Sequence, residues 1–239
     1  MGERKKVSIR LSQQRGFTEI DWLSSRHTFS FGEYYDPRNM GFRSLRVIND
    51  DLIAPGRGFG MHSHRDMEII TVVLQGALEH RDSLGNGEVL RAGEVQVMSA
   101  GRGIRHSEFN PSATDPVHLL QIWIDPARTG LDPSYAQREF PPEARRNTLC
   151  RVAGPPDGRD SALPIGQDAS LFLATIEPKA DVAHRLAPGR AAWIHVARGA
   201  VLLDGKHLLC GGDACSLEDV EDVTLTGQDP SEVLLFDLG

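Results

Sequence analysis

Glycine-containing turns recur about every ten residues through most of this chain, and between them apolar and polar side chains alternate. The alternation is plain in His27-Thr28-Phe29-Ser30-Phe31 and Leu45-Arg46-Val47-Ile48, and short runs follow at 68–74, 77–80, 88–90, 95–98 and 117–124. Gly-Asn-Gly at 85–87, Ala-Gly-Glu at 92–94 and Gly-Arg-Gly at 101–103 separate some of these runs. Period two places successive side chains on opposite faces of a strand, and turns this close leave no room for a long helix. The pattern predicts an all-β chain folded as an antiparallel sandwich or barrel. The best short helix candidate lies near 133–138.

The stretch from Asp125 to Arg146 breaks the rhythm. It holds four prolines, four arginines and few apolar residues, and reads as a connection between two halves. The halves resemble each other. Val73-Leu74-Gln75-Gly76-Ala77 and then Gly93-Glu94 in the first half answer to Val196-Ala197-Arg198-Gly199-Ala200 and then Gly212-Asp213 in the second. A strand, a glycine turn, a strand and a Gly-acidic turn recur in order, which predicts two copies of one β-barrel. We expect the boundary between them at 132/133, giving domains at 1–132 and 133–239.

Composition excludes several classes. With 33 acidic against 26 basic residues the net charge is −7, so the chain gains no counterion release on a phosphate backbone and direct nucleic-acid binding is not expected. No apolar window approaches the roughly 18 residues of a membrane span, so no membrane association is expected. No apolar run of signal-peptide length follows Met-Gly-Glu-Arg-Lys-Lys at the start of the sequence. The odd cysteine count, Cys150, Cys210 and Cys215, reads as reduced thiols in a cytoplasmic protein.

The chemistry concentrates in two short patterns. In a strand, residues i and i+2 share a face, so His62-Ser63-His64 offers two imidazoles to one metal ion. His106-Ser107-Glu108 repeats the spacing with one nitrogen donor and one carboxylate. Three imidazoles and a carboxylate suit Fe(II), Mn, Ni, Cu(II) or Zn and leave a position open for water, O2 or a substrate.

On these residues the chain resembles the pirin branch of the cupin superfamily. Gly56-x5-His62-x-His64-x3-Glu68-x7-Gly76 looks like the first cupin motif, and Gly93-x12-His106 looks like a variant of the second. The generic second motif has Pro-x-Gly before its His; here Ser99-Ala100-Gly101 precedes a longer loop, and the carboxylate follows two residues after the His. That departure is the pirin form. His27-Thr28-Phe29-Ser30-Phe31, Tyr34-Tyr35-Asp36-Pro37, Gly41-Phe42-x2-Leu45-Arg46-Val47, Gly101-Arg102-Gly103-Ile104-x-His106-x-Glu108 and Gln121-Ile122-Trp123 agree with it. The match is dense from 17 to 140 and thinner beyond.

The resemblance implies a bicupin with one metal, in the N-terminal barrel, held by His62, His64, His106 and Glu108. Fe(II) is the expected ion, with Cu, Zn, Mn, Ni or Co able to occupy the same donors. Glu68, a ligand in many generic cupins, is expected outside the coordination shell, orienting a histidine ring from the same strand face as His64. The resemblance also implies a dioxygenase that opens the heterocycle of flavonols such as quercetin with O2 and releases CO. Glu108 would double as the base, and Phe31, Phe42, Phe59, Met61 and Phe109 would wall a pocket for a planar phenol. The rival reading is a metal-binding regulatory pirin that docks a protein partner and turns nothing over.

The duplication supplies a separate argument. The offsets that place the ligands around Gly76 and Gly93 fall, around Gly199 and Gly212, on Arg185, Ala187, Leu225 and Gly227. None of the three imidazoles recurs, nor does the carboxylate, so the second barrel is expected to carry no metal. His80, His118, His184, His195 and His207 are expected to be structural. A chain with two barrels can cover its own apolar faces, and a monomer is expected.

Overall fold

The computed structural model describes residues 6–156, 158 and 161–239. The chain divides into two compact units, one of residues 16–140 with 163–167, the other of 141–162 and 168–239 with the described part of 1–15. Strand β1 (Lys6–Arg10) belongs to the second unit. The first unit runs through β2 (Gly16–Ile20), β3 (Leu23–His27), β4 (Leu45–Ile53), β5 (Gly58–His64), β6 (Glu68–Gln75), β7 (Ala77–Asp82), β8 (Gly87–Arg91), β9 (Glu94–Ser99), β10 (Ile104–Phe109), β11 (Val117–Ile124) and β12 (Ser134–Glu139). After the one-turn helix α1 (Pro142–Arg145) come β13 (Cys150–Gly154), β14 (Leu163–Pro164), β15 (Ala169–Ile176), β16 (Asp181–Arg185) and β17 (Ala191–Arg198). β18 (Ala200–Leu203), β19 (His207–Cys210), β20 (Ala214–Glu218), β21 (Asp222–Gly227) and β22 (Ser231–Leu238) close the chain.

Each unit is a two-sheet β-barrel. In the first, the larger sheet has the order β12-β9-β6-β11-β4-β3-β2 and the smaller β5-β10-β7-β8. In the second, the smaller sheet has the order β16-β21-β18-β19, and the larger contains the run β1-β20-β17-β22-β15-β13. The inner run β9-β6-β11-β4-β3 recurs as β20-β17-β22-β15-β13 and the smaller sheet recurs whole, which is the duplication expected from the glycine turns. Gly76 and Gly199 occupy the same corner of the two copies, at φ of +79° and +77°. A Cβ would meet the Pro116 carbonyl oxygen at 2.9 Å in the first and the Pro230 carbonyl oxygen at 2.3 Å in the second. Only glycine tolerates both the left-handed backbone and that approach.

The central strands carry the cores. In β6, Ile69, Ile70, Val72 and Val73 are all buried, as are Leu119, Leu120, Ile122 and Ile124 in β11. Ile194 of β17, Leu217 of β20 and Leu235 of β22 belong to the main cluster of the second unit. β3 and β4 follow a different logic, because their inward residues are partly polar. Ser25 pairs across the ladder with Asp51, and His27 with Asn49, and all four side chains are buried.

Two expectations need correction. The candidate helix near 133–138 is the strand β12, antiparallel to β9 with Tyr135 opposite Met98 and Gln137 opposite Gln96. Six residues cannot nucleate a helix by themselves, whereas the open edge of β9 satisfies the backbone at once. The same pairing moves the end of the first unit from 132 to 140, and β1, expected in the first domain, instead forms the edge of the second unit through its ladder with β20.

Candidate metal centre

β10 lies between β5 and β7, and this places the chemistry. On one side His106 faces His62 directly across the ladder. On the other, His106 faces Asp82 and Glu108 faces His80. A bulge against β5 falls between His106 and Glu108. It lets the two inward side chains of β10 serve different neighbours.

The structure brings His62, His64 and His106 together, with coordinating atoms of all three within 4.8 Å of one another. Their ring centroids are 4.4 Å apart for His62–His106, 4.8 Å for His62–His64 and 4.9 Å for His64–His106. Glu108 belongs to a second, overlapping group with His106 and His80, held to the same limit. His106 is the member common to both.

Burial keeps His64 and His106 neutral. Desolvation, aided by the neighbouring His62, pulls His64 down to about 4. Desolvation and the surrounding histidines pull His106 down to about 2. Neutral imidazoles present lone pairs without proton competition, which is the state a metal requires. His62 Nδ1 lies 2.8 Å from the Gly60 carbonyl oxygen, which can only accept, so the proton sits there and Nε2 is free to coordinate. His106 Nε2 is fully buried and has no hydrogen-bond partner. A buried acceptor with nothing to bind is costly, and a cation held by three nitrogens and a carboxylate satisfies it. The donor set therefore fits a divalent metal.

Glu108 is buried, and desolvation pushes its carboxyl up to about 7 against the opposing hydrogen bond from Gln121. Gln121 Nε2 donates to both carboxylate oxygens, at 3.2 and 3.0 Å, while Thr71 donates to Gln121 Oε1 at 3.1 Å. A carboxyl titrating near neutrality is suited to taking a proton from a phenol or enol. Asp51, also fully buried, is raised to about 7 by desolvation, and its Oδ1 has no partner.

His62, His64 and Glu108 open onto a cavity of about 570 Å3 in the first unit, whose apolar lining includes Trp22, Phe31, Phe59, Ile69 and Trp123. Phe59 packs edge-on against Trp22, with ring centroids at 5.1 Å. Phe31 and Phe59 are therefore among the residues that line this cavity. Met61 and Phe109 do not: they are 50% and 37% exposed and absent from the lining. Each is one residue away from a metal-facing position, and period two turns it to the outer face. Phe42 is also absent from the lining and bridges to Leu45.

Glu68 is corrected too. β5 ends at His64 and β6 begins at Glu68, so the two do not share a strand. Asp66, at φ +49°, turns the chain between them. The Glu68 carboxyl accepts a short hydrogen bond from Ser99 Oγ and one from the Gly166 backbone, and it ties β6 to β9 and to 163–167 rather than orienting a histidine ring.

His80 is not the bland core residue expected, since its ring lies against His106. The signal was available in His80-x-Asp82, the same i, i+2 spacing as the two motifs. Gln121 lay inside the Gln121-Ile122-Trp123 motif without an assigned role. Nothing in the sequence distinguishes Asp51 from the adjacent Asp50. His118 pairs with Asp50 at 2.7 Å and takes no part. Among the described residues, the groups of three close metal-binding side chains all lie in the first unit.

The chain is similar to known proteins over nearly its whole length. Residues 8–124 match the family described as Pirin, and residues 152–238 match the quercetinase C-terminal cupin domain. The chain is 45% identical over 232 residues to a quercetin 2,3-dioxygenase of Escherichia coli K12, covering 97% of this chain and 98% of the other. It is 46% identical over 235 residues to a putative quercetin 2,3-dioxygenase of Mycobacterium bovis, covering 97% and 95%. A crystal structure of a bacterial pirin from Escherichia coli in complex with nickel(II) superposes with a TM-score of 0.92 at 45% identity, covering 98% of this chain and 99% of that one.

Proposed function

Because the chain belongs to the pirin family, we propose that it is a metal-dependent dioxygenase that opens the heterocycle of flavonols such as quercetin, consuming O2 and releasing CO. The observation that carries the reading is the buried, partnerless His106 Nε2, clustered with His62 and His64 and followed two residues on by a buried carboxyl pushed up to about 7. Quercetin dioxygenase relatives at 45% identity and a nickel-bound relative support it.

His62, His64, His106 and Glu108 would hold the ion, and Fe(II) is our assignment. When bound, it supplies positive charge for an ionised flavonol oxygen and redox capacity toward O2. The remaining work falls to the chain. Glu108 accepts the proton of the flavonol 3-hydroxyl, and Gln121 holds its carboxylate in place as it does so. Trp22, Phe31, Phe59 and Trp123 flank the planar ring system and exclude water from the electron-rich anion. The second barrel is read as structural, without a metal, and the protein as a cytoplasmic monomer.

The test is anaerobic loading with Fe(II), then quercetin and O2 with detection of CO. The parent protein is expected to release CO, and His106→Ala to release none. A protein that binds one metal per chain yet releases no CO with Fe, Ni, Cu, Mn, Co or Zn would overturn the flavonol chemistry and favour the regulatory reading.

A further inference from the structure

A buried hydrogen-bond chain runs away from the metal centre on the side of β7. Asp82 is pinned at the β7–β8 turn: its Oδ1 accepts from the backbone N–H of Leu84 at 2.9 Å and of Asn86 at 3.1 Å, and its Oδ2 from Asn86 Nδ2 at 2.8 Å. The same Oδ2 lies 3.1 Å from His80 Nε2, and neither side chain has any solvent exposure. His80 Nδ1 in turn lies 3.4 Å from His106 Nδ1, with Gln96 Nε2 at the same distance.

The donors and acceptors favour one assignment of protons. Asp82 Oδ2 accepts, so His80 Nε2 carries the hydrogen. A neutral imidazole with hydrogen on Nε2 has its lone pair on Nδ1. Gln96 Nε2 donates toward that lone pair from 3.4 Å, and His106 Nδ1 faces it from the same distance. A hydrogen on His106 Nδ1 avoids two opposed lone pairs and an unpaired buried N–H, and it leaves the lone pair of His106 on Nε2, the buried atom with no partner. We propose that Asp82 and His80 are positioning residues, a two-step relay that locks His106 in the Nδ1–H tautomer and aims Nε2 at the metal. The proposal rests on the metal-site reading above but not on the flavonol chemistry.

Asp82→Asn is the informative substitution, since it preserves shape and inverts the hydrogen bonding. The introduced amide would keep its oxygen toward the Leu84 and Asn86 N–H groups and turn its NH2 toward His80 Nε2, with the Asn86 side-chain amide turned to present its oxygen to the same NH2. His80 would then carry its hydrogen on Nδ1, and His106 would be driven to the Nε2–H tautomer that cannot coordinate. Partners of metal-bound histidines of this kind contribute about 10- to 100-fold in affinity.

Two measurements test this. Nitrogen-15 NMR of the metal-free parent should show His106 protonated at Nδ1 and unprotonated at Nε2, and His80 the reverse. Titration with Ni(II) against a competing chelator should give one equivalent per chain, weakened about 10- to 100-fold in Asp82→Asn, with the two histidine tautomers exchanged in its spectrum. The parent spectrum requires no variant to fold, so a parent His106 protonated at Nε2 would overturn the relay by itself. Unchanged Ni(II) affinity in a folded Asp82→Asn would also overturn it. So would a second equivalent of Ni(II) that perturbs His80 as a ligand. Each of these leaves the dioxygenase reading standing, and a negative CO assay leaves the relay standing. A parent that binds no Ni(II) would overturn the relay and the metal-site reading together.

Discussion

The inward face of β4 carries a carboxyl that folding alone does not favour. Asp51 sits where an apolar residue would pack against Leu119, its ladder partner on β11, and burial raises it from 3.8 to about 7. The folded protein therefore holds this proton over a window in which the unfolded chain has released it, and stability falls as pH rises from about 4 to about 7. Asp51→Asn is expected to raise the melting temperature of the metal-free protein at pH 8 and to change it little at pH 4, with a gain at pH 8 on the order of a few kcal/mol. Thermal unfolding at the two pH values checks this. Gln121 has the opposite character. It is the main donor that holds Glu108 ionisable, so Gln121→Leu takes two hydrogen bonds from a buried carboxylate. We expect that variant to bind Ni(II) about tenfold or more weakly, with binding displaced to higher pH, as read by chelator competition across a pH series.

Elements decide what these residues can reach. β10 has β5 on one edge and β7 on the other, so one strand serves both the three-histidine cluster and the carboxylate–imidazole chain behind it. The corners that set the register are the glycine turns. Gly76→Val and Gly199→Val each force a β-branched residue into the left-handed region against a carbonyl oxygen, and each is expected to destabilise by about 2 kcal/mol or more. Equal effects in the two units, by denaturant unfolding, would bear out their structural equivalence; tolerance of valine at either would contradict it. In the second unit, Asp237 gathers His184 and Arg190. Burial would raise its carboxyl, but hydrogen bonds from both partners outweigh burial and hold it below the usual carboxylate range. A depressed carboxylate stabilises the fold above its unfolded value of 3.8, and that contribution is lost as pH falls through the folded value. Asp237→Asn should therefore lower the melting temperature at neutral pH and lose its effect in strong acid, as thermal unfolding across a pH series would show.

Across the whole molecule the two units share a strand order but not a chemistry. At the strands equivalent to β5 and β10, Ala183 faces Thr224 and Arg185 faces Asp222, where the first unit has His62 facing His106. One equivalent of Ni(II) per chain is expected, abolished by His106→Ala and unaffected by His184→Ala, as measured by calorimetry. Local chemistry made much of this legible in sequence. Period-two alternation and left-handed glycines are properties of neighbouring residues, so the all-β class, the duplication and the HxH and HxE pairs could be read without coordinates. Edge strands could not. β12 looked helical because its partner is about 40 residues away, and β1 joined the wrong unit because nothing local says which open edge a strand will meet. The same limit applies at the metal. The sequence determined the candidate donors. Which buried groups stand behind them, with Asp82 behind His80 and Gln121 behind Glu108, and which side of the strand Met61 and Phe109 present, was decided by the register of ladders between distant segments, because hydrogen-bond partners and desolvation exist only once those segments meet.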